Sequence, residues 1–201
     1  MRLMISAILL AAGESKRMGK TKQLMPLGGK TIVEHSLDNL LASQVNEVVV
    51  VTGKQADIVA KTIANRPVKI VINPDYAQGM STSLKKGLTS IGSNADAVMV
   101  VLADQPFIDN LLINRLIEEF QGHDKGIVVP VYKARRGHPI IFAIKYRNEL
   151  LQLQGDAGAK TVLEQHPEDI REVTVASRHI HIDIDDREAY ELQKKKLENR
   201  S

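Results

Sequence analysis

Short apolar runs alternate with amphipathic stretches along most of the chain. The apolar runs are nearly continuous in Val, Ile and Leu, which is typical of strands that are covered on both faces in a largely parallel sheet. Stretches with a helical period lie between them and supply the covering layers. The predicted strands are residues 3–12, 47–52, 68–72, 97–102 and 127–131, and the predicted helices are residues 31–43, 55–65, 81–91 and 110–120.

The pattern loosens after residue 130, but further elements can still be predicted. A turn leads into a strand at 137–142, a short helix opens at 155–160, and a last helix spans 186–197. Residues 179–185 alternate strictly between polar residues and isoleucine, which predicts a strand with its isoleucines inward. The order of elements predicts a single α/β domain over residues 1–201, a three-layer α/β/α sandwich with a mostly parallel, mixed sheet.

Composition excludes several classes of protein. The net charge of +3 is too small to indicate nucleic-acid binding, and an aromatic content of 3% disfavours base stacking. Without cysteine there is no disulfide framework, thiolate catalysis or cysteine zinc site, and a cytoplasmic location is expected. The charged and apolar start resembles a signal peptide, but polar residues follow at once, which favours a buried first strand. No transmembrane segment is expected.

The loop after the first predicted strand is rich in glycine and basic residues. Small residues let backbone N–H groups approach an anion closely, and Arg17 and Lys22 add positive charge beside them. This combination predicts a triphosphate cradle, the alternative being an ordinary strand-to-helix loop. Five residues separate Gly13 from Gly19, whereas a Walker-type phosphate loop requires four, so that class is disfavoured.

Carboxylates follow two other predicted strands. Asp104 comes directly after an apolar run, where it is either a Mg²⁺ ligand or a cap of the following turn. Asp183 and Asp185 end the alternating segment and offer a second carboxylate. Together with His179 and His181 they resemble a metal quartet, but four such residues on a strand span about 20 Å, too far for one ion. A solvated strand face is the preferred interpretation of the histidines.

Two further segments suggest ligand recognition. The polar residues 78–83 precede a predicted helix, so their amides and hydroxyls could contact a base or a phosphate, while Ser81 could equally cap the helix. His138 follows Gly137 at the entry to a strand, where a lone histidine is more often structural than catalytic.

In their order along the chain, these segments resemble the molybdenum cofactor cytidylyltransferases, members of the molybdopterin nucleotidyltransferase-like enzymes. Ala12 favours the cytidylyl branch, since guanylyl-transferring relatives typically have Gly-Gly here, and Asp186-Arg187 replaces the family's usual Thr-Pro. The matching segments are Leu-Ala-Ala-Gly at 10–13, Arg-Met-Gly at 17–19 with Lys22, Gly-Met-Ser-Thr-Ser-Leu at 79–84, Leu-Ala-Asp-Gln-Pro at 102–106, Gly-His-Pro at 137–139, Gly-Asp-Ala-Gly at 155–158 and Asp-Ile-Asp at 183–185.

The resemblance implies a Rossmann-like nucleotidyltransferase fold and the transfer of CMP from CTP, with Mg²⁺, to the terminal phosphate of molybdopterin. Pyrophosphate is released, and an apo-molybdoenzyme is a further possible partner. A guanylyl- or sugar/polyol-phosphate nucleotidyltransferase, or a non-catalytic cofactor carrier or insertion partner, is the alternative. The implied site residues are Lys22, Arg17 and Asp104 for catalysis, Leu10, Ala11, Ala12, Gly13, Gly79, Ser81 and Ser83 for the nucleotide, His138, Gly155, Asp156 and Gly158 for the pterin, and Asp104 and Asp185 for the metal.

Overall fold

A mixed β-sheet of eight strands forms the centre of the computed structural model, which describes residues 3–15, 18–156 and 158–198. Seven strands lie in the order β10-β7-β9-β6-β1-β4-β5, and β8 pairs with β7. A separate hairpin is formed by β2 and β3. The strands are β1 (Ile5–Ala11), β2 (Pro26–Leu27), β3 (Lys30–Thr31), β4 (Glu47–Thr52), β5 (Lys69–Ile72), β6 (Ala97–Leu102), β7 (Ile127–Tyr132), β8 (Arg135–Arg136), β9 (Ile140–Ala143) and β10 (Ile170–Thr174).

The sheet is mostly parallel, as the sequence predicts. Parallel pairing joins β1 to β4 and β6, β4 to β5, and β7 to β10. Strand β9 is antiparallel to both β6 and β7, so it is inserted between two strands that run in the same direction. The predicted strands at 47–52 and 97–102 have the bounds found in the structure. The strand expected within 137–142 is confirmed as β9, shifted towards its end.

Helices cover both faces of the sheet and make three layers. Apolar residues of α1, α2 and α4 pack in one core, and those of α3, α5 and α6 pack in the core on the opposite face. No helix within the described residues is both long and apolar enough to cross a membrane. The helices are α1 (Ile32–Leu41), α2 (Ala56–Ile63), α3 (Met80–Leu88), α4 (Asn110–Gly122), α5 (Arg147–Gln152), α6 (Lys160–Gln165) and α7 (Arg187–Glu198).

The prediction of a strand at residues 179–185 is wrong. Residues Arg178–His181 form a 3-10 turn, and the chain then continues without pairing in the sheet. The edge strand lies earlier in the chain, as β10, which the pattern did not predict. The alternation has another cause: Ile180 is buried in the α1/α4 core, whereas Ile184 is buried in a third cluster beside the β2–β3 hairpin. The strand spacing used against a metal quartet therefore does not apply.

Candidate functional site

A cavity of about 440 Å³ opens at the carboxyl ends of β1 and β6. This is the edge at which open α/β sheets bind their ligands, because the loops after parallel strands converge there. Nine residues that the sequence analysis selected contribute to its lining. The lining residues are Leu10, Ala12, Gly13, Glu14, Lys22, Gln23, Tyr76, Ala77, Gly79, Met80, Ser83, Leu102, Asp104, Asp156, Asp183 and Asp185.

Lys22 lies between two carboxylates in this cavity. Its Nζ atom donates to Asp104 Oδ2 at 2.5 Å and to Asp185 Oδ1 at 2.6 Å. Lys22 begins a 3-10 turn after the glycine-rich loop, Asp104 follows β6, and Asp185 precedes α7. The structure thus brings together three predicted site residues from three distant parts of the sequence, and we call Lys22, Asp104 and Asp185 the Lys22 cluster.

Negative charge exceeds positive charge around this lysine. Burial raises the pKa of Asp104, and the nearby carboxylates of Asp183 and Asp185 add to that rise, although Lys22 opposes it. Burial alone would lower the pKa of Lys22, but attraction to the two bonded carboxylates outweighs it, so that pKa is raised. Because several carboxylates surround one cationic lysine, this group of side chains carries a net negative charge that an added cation would neutralise.

One buried oxygen of this site has no partner among the described residues. Asp104 Oδ1 accepts no hydrogen bond from any of them. An unpartnered buried carboxylate oxygen is costly, and it is the kind of atom that a divalent cation takes as a ligand. No three histidine or acidic side chains among the described residues converge on one metal position. An ion here would therefore complete its shell with water or phosphate oxygens, as Mg²⁺ commonly does.

Gln105 holds a further carboxylate at the cavity. Its side chain is buried, and Nε2 donates to Asp183 Oδ1 at 2.7 Å. From the sequence, Asp183 is predicted only as a companion of Asp185, and no role is predicted for Gln105. The signal was present, since Gln105 directly follows Asp104, but the contact joins residues 78 positions apart.

The glycine-rich loop forms one wall of the cavity. Two hydrogen bonds join this loop to the Lys22 turn: Lys22 N donates to the Ser15 side-chain Oγ at 3.0 Å, and Gln23 Nε2 donates to the backbone oxygen of Gly13 at 3.4 Å. Ala11 is buried in the α1/α4 core rather than lining the cavity. Arg17 lies outside the described residues.

Gly79 joins two segments to which the sequence analysis gave different ligands. Its φ of +112° suits glycine, and an added Cβ would lie 2.4 Å from the carbonyl group of Gly155. The amide of Ser81 also donates to Gly155 O at 3.1 Å. The predicted base-binding and pterin-binding segments therefore meet at the N-terminus of α3. Ser83 lines the cavity, whereas Ser81 is buried and does not.

A second cavity, of about 630 Å³, adjoins the first and shares Met80 with it. His138 and Gly158 line this second cavity and not the first. Burial lowers the pKa of His138 to about 4, with partial opposition from Asp104, so this imidazole is neutral at physiological pH. The cavity is lined by Met80, Ala134, Arg135, Arg136, Gly137, His138, Ile140, Gly158, Ala159, Lys160, Leu163, Glu164 and Glu172.

Known proteins resemble this chain in sequence and in fold. Nicotine blue oxidoreductase from Paenarthrobacter nicotinovorans is 33% identical over 81% of this chain and 83% of its own length. Molybdenum cofactor cytidylyltransferase from Escherichia coli K12 is 30% identical over 68% of this chain and 69% of its own.

Among solved structures, Rv0371c from Mycobacterium tuberculosis has a TM-score of 0.88 at 26% identity, covering 97% of this chain and 99% of its own. A manganese complex of Rv0371c has a TM-score of 0.83 at 25% identity, covering 96% of this chain and 98% of its own.

A family description accounts for most of the chain. Residues 7–170 match the MobA-like NTP transferase domain, a stretch that includes the glycine-rich loop, the Lys22 turn and Asp104. The Lys22 cluster lies where this fold class binds its ligands, and the predicted Rossmann-like α/β fold agrees with the solved relatives. The chain is a nucleotidyltransferase and belongs to the MobA-like NTP transferase family.

Proposed function

We propose that this enzyme transfers CMP from CTP to the terminal phosphate of molybdopterin and releases pyrophosphate. The observation that carries the proposal is the position of Lys22, bonded to Asp104 and Asp185 beside a glycine-rich loop at the carboxyl edge of the sheet. The similarity to a molybdenum cofactor cytidylyltransferase supports this choice of nucleotide and acceptor.

The charge of the cavity determines the form in which a nucleotide binds. Among the described residues, the carboxylates of Glu14, Asp104, Asp156, Asp183 and Asp185 line it beside one ammonium, that of Lys22. A bare triphosphate would be repelled by this excess negative charge, whereas a complex of triphosphate with a divalent cation carries the missing positive charge. We therefore expect nucleotide binding to depend steeply on the divalent cation.

Asp104, through its unpartnered Oδ1, and Asp185 would hold the cation, with Asp183 close by. Mg²⁺ is the expected ion, and when bound it would neutralise charge on the phosphate oxygens. The manganese complex of Rv0371c, a relative with the same fold, supports a divalent cation of this type.

The chain's own residues then contribute position and charge. A terminal phosphate oxygen of the acceptor attacks the α-phosphorus, a new P–O bond forms, and the bond to the β-phosphate breaks to release pyrophosphate. The attacking oxygen is already anionic, so no strong general base is required. Lys22 stabilises the charge that shifts onto the α-phosphate, and Arg17 is expected to contact the β- and γ-phosphates. Backbone groups of Leu10, Ala12 and Gly13 would align the nucleotide.

The second cavity suits the acceptor. Ile140 and Leu163 give it an apolar wall, and Arg135 and Lys160 place positive charge in its lining. This combination fits a flat heterocycle that carries anionic groups, such as a pterin with its phosphate arm. Because Met80 lines both cavities, an acceptor bound here can extend its phosphate towards Lys22. Neutral His138 would offer a hydrogen bond to the ring.

The relative named as an oxidoreductase raises a second candidate, the reduction of a heteroaromatic compound. Two observations favour transfer over reduction. The chain contains no cysteine, so it has no thiol redox couple of its own. The Lys22 cluster is suited to holding a divalent cation against a triphosphate, and hydride transfer from a nicotinamide dinucleotide uses no such cation.

The decisive experiment measures pyrophosphate release with Mg²⁺ and molybdenum-loaded molybdopterin, comparing CTP, GTP, ATP and UTP. Release with CTP at the highest kcat/KM is expected. Preference for GTP would retain the class of enzyme and overturn the base. Release only with a sugar or polyol phosphate as acceptor would overturn the acceptor.

A pair of matched variants tests the role of Lys22, and two further assays separate the remaining alternatives. Lys22→Met should abolish pyrophosphate release, while Lys125→Met, which removes a half-buried lysine that does not line the cavity, should not. Delivery of the cofactor to an apo-molybdoenzyme by a wild-type protein that releases no pyrophosphate would indicate a carrier. Reduction of nicotine blue by a nicotinamide donor, without pyrophosphate release, would favour the oxidoreductase.

A further inference from the structure

A third hydrophobic cluster lies apart from the two cores on the faces of the sheet. Its buried members are Leu27 and Ile32 from the hairpin side, and Ile184 and Tyr190 from the C-terminal side. We call these four residues the terminal cluster. It packs α7 against the β2–β3 hairpin, with Met25, Phe107 and Leu197 partly buried around it.

Both sides of the terminal cluster lead directly to the active-site cavity. The Lys22–Leu24 turn runs into β2, which contains Leu27. On the other side, Ile184 lies between Asp183 and Asp185, and its amide donates to Asp104 O at 2.9 Å. Burial of the Ile184 side chain therefore fixes the peptide that presents Asp185 to Lys22.

Tyr190 connects the two sides by a hydrogen bond as well as by packing. Its ring is buried, and its hydroxyl donates to Pro26 O at 2.5 Å. Asp186, the residue after Asp185, is bonded to the start of α7. The amide of Tyr190 donates to Asp186 O at 3.1 Å, and that of Ala189 donates to Asp186 Oδ1 at 2.8 Å. One side chain thus links the residue after Asp185 to the strand after Lys22.

We propose that Tyr190 is a positioning residue whose hydroxyl, by joining α7 to the hairpin, keeps Asp185 and Lys22 in contact. Tyr190 does not line either cavity, so it acts through the neighbours that it holds rather than by touching substrate. The consequence for the reaction rests on the proposed function of Lys22 and Asp185, but the positioning itself can be measured without any reaction.

The matched control is a second tyrosine with a buried ring. The hydroxyl of Tyr146 donates to Asp169, which lies outside the cavity. Tyr190→Phe and Tyr146→Phe each remove one bonded hydroxyl and leave the ring. A loss that comes only from weaker folding should occur in both variants, whereas a loss of positioning should occur only in Tyr190→Phe.

The first measurement is hydrogen–deuterium exchange of residues 183–190, which include the bonded amides of Ile184 and Tyr190. Tyr190→Phe should speed exchange in this segment by about tenfold, as expected when a local opening becomes easier. Tyr146→Phe should leave the same segment unchanged. Equal exchange in wild type and Tyr190→Phe would overturn the proposal.

The second measurement is steady-state kinetics with Mg²⁺ varied at saturating nucleotide. In Tyr190→Phe, kcat should fall by about tenfold, because small displacements at a reacting centre are costly, and half-saturation should need several-fold more Mg²⁺. The acceptor KM should stay within about twofold, since the acceptor cavity is untouched. An equal fall of kcat in Tyr146→Phe would show a purely structural role and overturn positioning.

Leu27→Val tests the same link from the hairpin side. By itself it should also speed exchange at 183–190, so it serves if Tyr190→Phe does not fold, and unchanged exchange in it would then overturn the proposal. Where both variants fold, their effects on this exchange should be non-additive, because both changes weaken one cluster. Additive effects would contradict the proposal. If wild type releases no pyrophosphate with any nucleotide, the proposed function fails, while the exchange data still decide whether Tyr190 holds the segment.

Discussion

Lys22 with Asp104 and Lys145 with Asp169 are lysine–aspartate pairs of similar length, 2.5 and 2.6 Å, at opposite edges of the same sheet. Asp104 follows a parallel strand at its carboxyl end, whereas Asp169 precedes β10 at the amino end. The surroundings of the two carboxylates differ, and this difference decides what each pair contributes.

Asp169 is fully engaged. Its carboxylate accepts hydrogen bonds from the Lys145 ammonium, the Tyr146 hydroxyl and the amide of Gly126. Burial opposes ionisation, but these bonds outweigh it and lower the pKa of Asp169 to about 2. The ionised carboxylate at this edge therefore stabilises the fold.

Asp104 accepts fewer hydrogen bonds than Asp169, and two other carboxylates lie near it. One oxygen is unpartnered, and burial together with Asp183 and Asp185 raises its pKa. A charged carboxylate in this state costs stability, and it is relieved by a cation or by a ligand that brings one. From this difference we infer that the Lys22–Asp104 pair serves ligand binding, whereas the Lys145–Asp169 pair stabilises the fold.

The largest expected effect comes from Asp104→Asn. Pyrophosphate release should fall by about 10²-fold or more, because a preorganised charged group at the reacting phosphate is lost. The free energy of unfolding at pH 7 should change less than in Asp169→Asn, since removing a carboxylate with a raised pKa offsets the loss of one of the two carboxylate partners of Lys22. Rate assays and urea unfolding check both halves, and a strongly destabilised variant would break the comparison.

Asp169→Asn should show the reverse pattern. The free energy of unfolding should fall by about 2 kcal/mol, because the part-buried hydrogen bonds that Asp169 accepts from Tyr146 and Gly126 are disturbed and its charge opposite Lys145 is lost. Activity of the folded protein should remain within about twofold. Urea unfolding and the same rate assay measure this, and a rate loss as large as that of Asp104→Asn would remove the distinction between the two edges.

Acid should remove the contribution of the Asp169 carboxylate to the free energy of unfolding. The pKa of this carboxyl is about 2 in the folded protein and 3.8 as its ordinary value, so its contribution is present above 3.8 and is lost as pH falls through 2. At 1.36 kcal/mol per pKa unit, the contribution is at most about 2 kcal/mol. The difference in unfolding free energy between wild type and Asp169→Asn should shrink over this range, and a difference independent of pH would contradict the assignment.

The smallest expected effect concerns His138, whose imidazole lies near Asp104. Its pKa of about 4 keeps it neutral above pH 5, so it should produce no inflection in the rate profile between pH 6 and 8. His138→Asn should lower kcat/KM for the acceptor by only a few-fold, from one lost hydrogen bond. An inflection near pH 6.5 that disappears in His138→Asn would show that the imidazole titrates in the functional range.

Patterning along the chain predicted most of the sheet because the central strands are buried on both faces. Strand β4 and strand β6 are continuous apolar runs, and their predicted bounds agree with the structure. The edge strand β10 was missed because its residues are mostly exposed or half-buried, which leaves no continuous run. Residues 179–185 produced the opposite error, a predicted strand that does not form. Their alternation arises because Ile180 and Ile184 are buried in two separate clusters.

The sequence by itself determined the layers of the fold, the glycine-rich loop and the identities of Lys22 and Asp104, since each depends on local chemistry. Only the tertiary structure decided which groups meet: Lys22 is 82 residues from Asp104 and 163 from Asp185. The same holds for the contact of Gly79 with Gly155 and for the tie between Tyr190 and Pro26. Local periodicity reports which side chains are buried, whereas the partner of a buried charge depends on how the strands and the terminal helix are ordered in space.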